Sequence, residues 1–179
     1  MNYNKLLKFL VSIIICEFAG VVGSAFTAPE MGAWYKSLEK PFFNPPNWIF
    51  GPVWTIIFIL MGVSLYFVWI KNWEPRREAT DIEASNPLSQ KFLSGAWRKA
   101  NIIAIFIVQL VLNILWSVIF FGFHNPGIAF FELLMLWFAV LFCIVNFYRV
   151  HKSAGFLLLP YIIWISFAGI LNYFIWILN

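Results

Sequence analysis

Glu17 and Glu132 stand inside long apolar runs, where a carboxyl group needs a partner or a proton. The same runs carry amides and hydroxyls at helical spacing. Glu17, Gly20, Ser24 and Thr27 share one face by i+3/i+4 steps, and so do Gln109, Asn113 and Ser117, with Trp116 adjoining. Glu132, Ala139 and Asn146 recur at sevenfold spacing, while Trp164, Ala168 and Asn172 align at fourfold spacing. Such groups face a bundle interior. Gly20, Ser24, Gln109 and Asn146 read as adhesion between helices, and Glu17 as a buried, protonated carboxyl bonded within the bundle. Their other use is proton relay.

A second concentration of chemistry lies in the connector from Trp34 to Trp54. It holds four prolines and seven aromatics, including Trp34, Tyr35, Trp48, Phe50 and Trp54. A plain link between spans needs no such content. Stiff prolines with large flat rings predict a structured loop over 29–51 that lies on something flat and apolar.

The elements that position these groups are five apolar segments, at about 6–26, 52–70, 102–121, 127–148 and 155–178. Each has about 19–24 residues, enough to cross roughly 30 Å of hydrocarbon as a helix. The chain of 179 residues is 62% hydrophobic and only 11% charged, against about 25% in soluble domains. Long runs without alternation exclude a β-barrel. The expected fold is all-α, a single domain over 1–179 forming an integral membrane bundle of five transmembrane helices embedded in the lipid bilayer.

Of the twelve Lys and Arg, all but Lys36 and Lys40 fall on one side of that bundle. The positive-inside bias then puts the N-terminus in the cytoplasm and the C-terminus outside, with the aromatic loop facing away from the cytoplasm. The net charge of +4 belongs to this topology and not to a basic stripe for nucleic acid, which is excluded as a partner. The connector 71–100 is the soluble-looking cytoplasmic stretch. Within it Phe92, Leu93 and Trp97 beside Lys91, Arg98 and Lys99 predict a short surface helix, or else a solvated tether. Lys5 and Lys8 before an apolar run resemble a signal peptide, but the run is too long for one and carries Glu17, so it is read as retained. Simple cation asymmetry and no transit peptide favour a prokaryotic plasma membrane. Cys16 and Cys143 read as small hydrophobes, and His124 and His151 fall on opposite faces, so no metal site is expected.

Counting turns along each span brings several candidates to one depth. Trp54 starts the second span, Asn113 and Trp116 lie in the outer half of the third, and Glu132 lies below the start of the fourth. Leu171 and Asn172 occupy the outer third of the fifth. Apolar walls with few polar groups under a rigid aromatic cover describe a small-molecule pocket.

The chain resembles the TspO/MBR family of tryptophan-rich sensory and translocator proteins. The resemblance rests on Trp34-Tyr35, Leu38, Lys40-Pro41, Pro45-Pro46, Trp48 and Pro52-Val53-Trp54. It continues with Gln109-Leu110, Leu112-Asn113, Trp116, Phe120-Phe121-Gly122, Pro160-Tyr161, Trp164, Phe167-Ala168 and Leu171-Asn172-Tyr173. It implies a five-helix bundle, commonly a homodimer, that binds tetrapyrroles such as porphyrin or haem as ligand and in some members sterols, with no cofactor. Carried over by position, the pocket set is Phe50, Gly51, Val53 and Trp54 from the second span and Asn113 and Trp116 from the third. Ile128, Phe131, Glu132 and Met135 come from the fourth, Ala168 and Leu171 from the fifth, and Ser24 and Thr27 from the first. Trp34, Tyr35, Trp48 and Asn172 complete the ligand-binding expectation. Two features depart from the family. Tyr173 is followed by no Lys or Arg, which weighs against the sterol pattern, and the second connector is long.

Three functions follow. The first is a receptor or sensor in which rings stack on a macrocycle, Lys36 or Lys40 meets its propionates, and Asn113 or Asn172 bonds its edge. The second is a light- and oxygen-dependent porphyrin-degrading enzyme, for which no nucleophile–base pair stands in the sequence. The third is a transporter with Glu17 and Glu132 as proton relay, though five helices lack the inverted repeat common in such proteins.

Overall fold

The computed structural model describes residues 3–72 and 95–179, and the expected surface helix around Phe92 and Leu93 lies outside those described residues. Among the described residues five spans are long and apolar enough to cross a membrane, and they make an all-α bundle. In lipid a backbone satisfies its own hydrogen bonds only as a helix or closed barrel, so each apolar run becomes a helix.

Helix α1 covers Tyr3–Gly32, a turn longer at its end than the apolar run. Pro29 sits in its final turn, where it removes a single donor without stopping the helix. A short helix α2, Trp34–Ser37, opens the loop, and a 3₁₀ turn at Asn47–Ile49 leads into α3, Phe50–Ile70. Helix α4 covers Gly95–Ser117, so Trp97, Arg98 and Lys99 belong to a span and not to a separate surface helix. The Lys99 ammonium donates to the Trp69 carbonyl at 3.0 Å, satisfying one open acceptor at the end of α3. A π-helical turn, Val118–Gly122, ends the span. His124 then takes φ +51°, and the Asn125 side chain accepts from the Ile128 N–H at 2.9 Å to cap α5, Pro126–Val150. The fifth span is two helices, α6 at Lys152–Leu157 and α7 at Leu159–Leu178. Pro160 supplies no N–H at this junction, and Leu158 leaves the helical hydrogen-bond run.

The spans form a ring. Helix α1 packs between α3 and α4, α4 meets α5, and α5 meets α6 and α7. The ring closes where α3 meets α6, and Ser64 Oγ donates there to the Ala154 carbonyl at 2.7 Å in a fully buried contact. Nearby, Gly62 lets α3 touch the backbone of α1: a Cβ at this position would lie 2.6 Å from Ile13 Cα. One core, including Met61, Leu65, Phe106, Phe147 and Tyr161, fills this end, and a second, including Tyr35, Phe120, Phe121 and Leu171, lies beneath the loop.

Gly62→Val should lower the apparent Tm in detergent by several degrees, the scale of about 1–3 kcal/mol of overpacking. Gly32→Ala, whose Cβ meets nothing within 4 Å, is the control and should change little.

A candidate ligand cavity beneath the loop

Between the two cores α3 and α7 diverge and leave a cavity of about 280 Å³. Its floor lies near Glu17 and Gly20 of α1, where the Phe58 ring rests against the bare Cα of Gly20. Helix α1 adds Ser24, Thr27 and Met31, and α3 adds Phe50, Gly51, Trp54 and Thr55. Asn113, Trp116 and Ser117 of α4, with Phe120 and Phe121 of the π turn, form a third wall. Trp164, Ala168, Leu171, Asn172 and Ile175 of α7 form the fourth, and Tyr35 contributes to the roof. The most exposed lining residues, Val21, Ser24, Gly51 and Thr55, all belong to α1 and α3, so the cavity opens sideways between these helices.

The roof is bonded in place. The Tyr35 ring is only 3% exposed, and its hydroxyl donates to Asn44 Oδ1 at 2.7 Å. Burial pushes its phenol up to about 12. Lys40 stands 4.8 Å over the same ring and donates to the Leu38 carbonyl at 2.9 Å, so its ammonium is engaged within the loop. Phe43 packs edge-on against Phe174. The Asn179 side chain exchanges two hydrogen bonds with the Glu39 backbone, each 3.0 Å. Trp34 stacks on His124 at 4.3 Å, and His124 Nε2 lies 3.0 Å from Glu30 Oε2.

Of the expected site residues, Ser24, Thr27, Tyr35, Phe50, Gly51, Trp54, Asn113, Trp116, Ala168, Leu171 and Asn172 meet at this space. The structure does not bring the others there. Trp34 packs behind the wall on Phe120, Trp48 is 73% exposed, and Val53 packs on the lower core. Ile128, Phe131 and Met135 are each 57% exposed on the outward face of α5. Glu132 is buried on the inward face, yet it lies outside the cavity, and neither carboxyl oxygen has a hydrogen-bond partner among the described residues. A polar tie joins α4, α7 and the start of α5 on that side of the cavity. Trp116 Nε1 donates to Asn172 Oδ1 at 3.0 Å, and Asn172 Nδ2 donates to the Pro126 carbonyl at 2.7 Å. Helices α4 and α7 are thereby joined directly.

The position-by-position expectation missed Glu17, Gly20, Phe58, Ser117 and Trp164, although the helical stripes on α1, α4 and α7 had marked four of them. Most polar walls are already satisfied. Ser24, Thr27 and Thr55 donate to carbonyls of their own helices, and Asn113 Nδ2 donates to the Tyr161 hydroxyl at 3.0 Å. Apart from Glu17 and Trp164, each with a buried polar atom unpartnered among the described residues, what remains offers aromatic stacking and apolar contact.

The class defined here is a helical membrane protein with an aromatic cavity under a fixed loop. The chain belongs to the TspO/MBR family, whose model matches residues 12–177, and is an integral membrane protein. It is similar to the tryptophan-rich protein TspO of Archaeoglobus fulgidus, 40% identical over 175 residues, covering 98% of this chain and 99% of the relative. The human translocator protein is 35% identical over 156 residues, covering 87% and 80% respectively. The tryptophan-rich sensory protein of Cereibacter sphaeroides is 28% identical over 165 residues, covering 92% and 87%.

Asn172→Ala should lower stability by about 1–2 kcal/mol, because two interhelical bonds are lost. Asn146→Ala should not, since its amide donates only to the Phe142 carbonyl of its own helix. Thermal unfolding of both variants checks the difference. The raised phenol of Tyr35 favours the closed roof fully below its ordinary value of 10.0, and that contribution is lost as pH rises through about 12. Alkaline titration of loop proteolysis should show this loss in the wild type and not in Tyr35→Phe.

Proposed function

We propose that the protein is a membrane receptor or sensor that binds tetrapyrroles, porphyrin or haem, and other flat hydrophobic molecules in the cavity under the loop. The observation that carries the reading is the set of rings around one space: the indoles of Trp54, Trp116 and Trp164 with Phe50, Phe58 and Phe120. Rings in offset or edge-on array are suited to a planar conjugated ligand. At about 280 Å³ the space is at the lower end of small-molecule sites, so a macrocycle would insert one edge and leave the rest in the side opening. Lys36, exposed on the loop, is then better placed for propionates than the engaged Lys40.

Residues 1–179 act in this reading as one domain. The N-terminus is assigned to the cytoplasm, and the C-terminus and loop to the outer face of a prokaryotic plasma membrane, because Lys and Arg concentrate beside the opposite ends of the spans. A homodimer, implied by the family resemblance, completes it.

Titration of purified protein with protoporphyrin, read by tryptophan quenching, tests the site. Trp54→Ala, and Ala168→Trp which fills the cavity, should each weaken binding by about tenfold or more, the scale of one lost aromatic contact. Trp48→Ala should leave affinity unchanged. Equal affinity in all three variants would place the ligand elsewhere.

A further inference from the structure

The cavity floor carries a group that aromatic recognition does not use. Glu17 lines it, and its Oε1 atom is buried with no hydrogen-bond partner among the described residues. The expectation of a carboxyl bonded within the bundle is therefore not met. The neighbouring hydroxyls of Ser24, Thr27 and Thr55 donate to their own helices. Among the described residues no Lys or Arg lines the cavity. A carboxyl at the middle of a span costs about 2.5–3.5 kcal/mol to insert, and such groups persist where they meet a partner. Here the open direction is the cavity.

We propose that Glu17 makes the cavity selective for amphiphilic amines: flat apolar molecules that enter with a protonated amine leading and place it on the Glu17 carboxylate. The inference rests on the proposed ligand cavity and adds the polar group that its deep end recognises. An ammonium there forms a charge-assisted hydrogen bond in a space walled by Phe58, Trp54 and Gly20. A ligand that leads with a carboxylate meets like charge and is turned round or rejected. Macrocycles with acidic side chains are consequently held with those groups towards the opening, away from Glu17. Trp164 Nε1, the other buried polar atom on the cavity wall without a partner among the described residues, is a donor and leaves Glu17 as the acceptor.

Three pyrene probes of nearly equal shape separate the contributions: 1-methylpyrene, 1-pyrenemethylamine and 1-pyreneacetic acid. Each is titrated at neutral pH into protein in nanodiscs of zwitterionic lipid, read by tryptophan-to-pyrene energy transfer and corrected against empty discs. The wild type should prefer the amine over the acid by about tenfold or more, as expected for a hydrogen bond to a charged group. Glu17→Gln should reduce that preference to less than about threefold while leaving 1-methylpyrene affinity unchanged. Glu17→Leu repeats the test should the amide variant fold poorly. A wild type without preference, or a preference that survives both substitutions, overturns the role of Glu17. If Ala168→Trp leaves 1-methylpyrene binding intact, the cavity reading itself fails, which is a separate outcome.

Discussion

Lipid gives two helices little hydrophobic reason to meet, so a membrane bundle is held where small residues let backbones touch and where side chains bond across. In this chain α3 is fixed in that way at one end. Gly62 admits the Ile13 backbone on one side, and Ser64 bonds the Ala154 carbonyl on the other. Helix α3 is thereby anchored to α1 and α6 together. The break at Leu158 and Pro160 divides the fifth span, so that α6 packs on α3 while α7 supplies one wall of the space beside it. The cavity is that space, and the loop covers it because no helix does.

The second determinant is the distribution of polar bonds. Ser24, Thr27 and Thr55 in the walls return their protons to their own helices, so those stretches of wall behave as apolar surface. Asn172 joins three elements, through Trp116 of α4, Pro126 of α5 and its own place in α7. It holds Trp116 as a wall and fixes the start of α5 to α7. Rings are thus held rigidly where contact with a flat molecule would occur, while Glu17 stays uncommitted.

The five spans were legible because a run of about twenty apolar residues has few other stable fates. Their ends were less so. The first span, expected to end near residue 26, runs on through Pro29 to Gly32, and Lys99, expected on a surface helix or tether, caps α3. Depth could be counted from the sequence, and Trp54, Asn113, Trp116 and Asn172 do share one cavity. Rotation about a helix axis could not. Periodicity groups Ile128, Phe131 and Met135 on one face of α5 without saying which way that face looks, and bonds such as Trp116–Asn172 that fix the neighbouring helices join residues far apart in the chain. The stripe holding Glu17, Gly20, Ser24 and Thr27 was visible as a stripe. Its exposure to empty space depends on where α3 diverges, which no local pattern encodes.

In the proposed reading, the sideways opening between α1 and α3 decides from which phase a ligand is drawn. A ligand arriving through Val21, Ser24, Gly51 and Thr55 comes from among acyl chains and not from water. Occupancy then follows the mole fraction of ligand per lipid, and the same aqueous dose fills the site differently as membrane area grows or shrinks. Under that reading the bilayer acts as the reservoir, and the cavity would report its load of ligand.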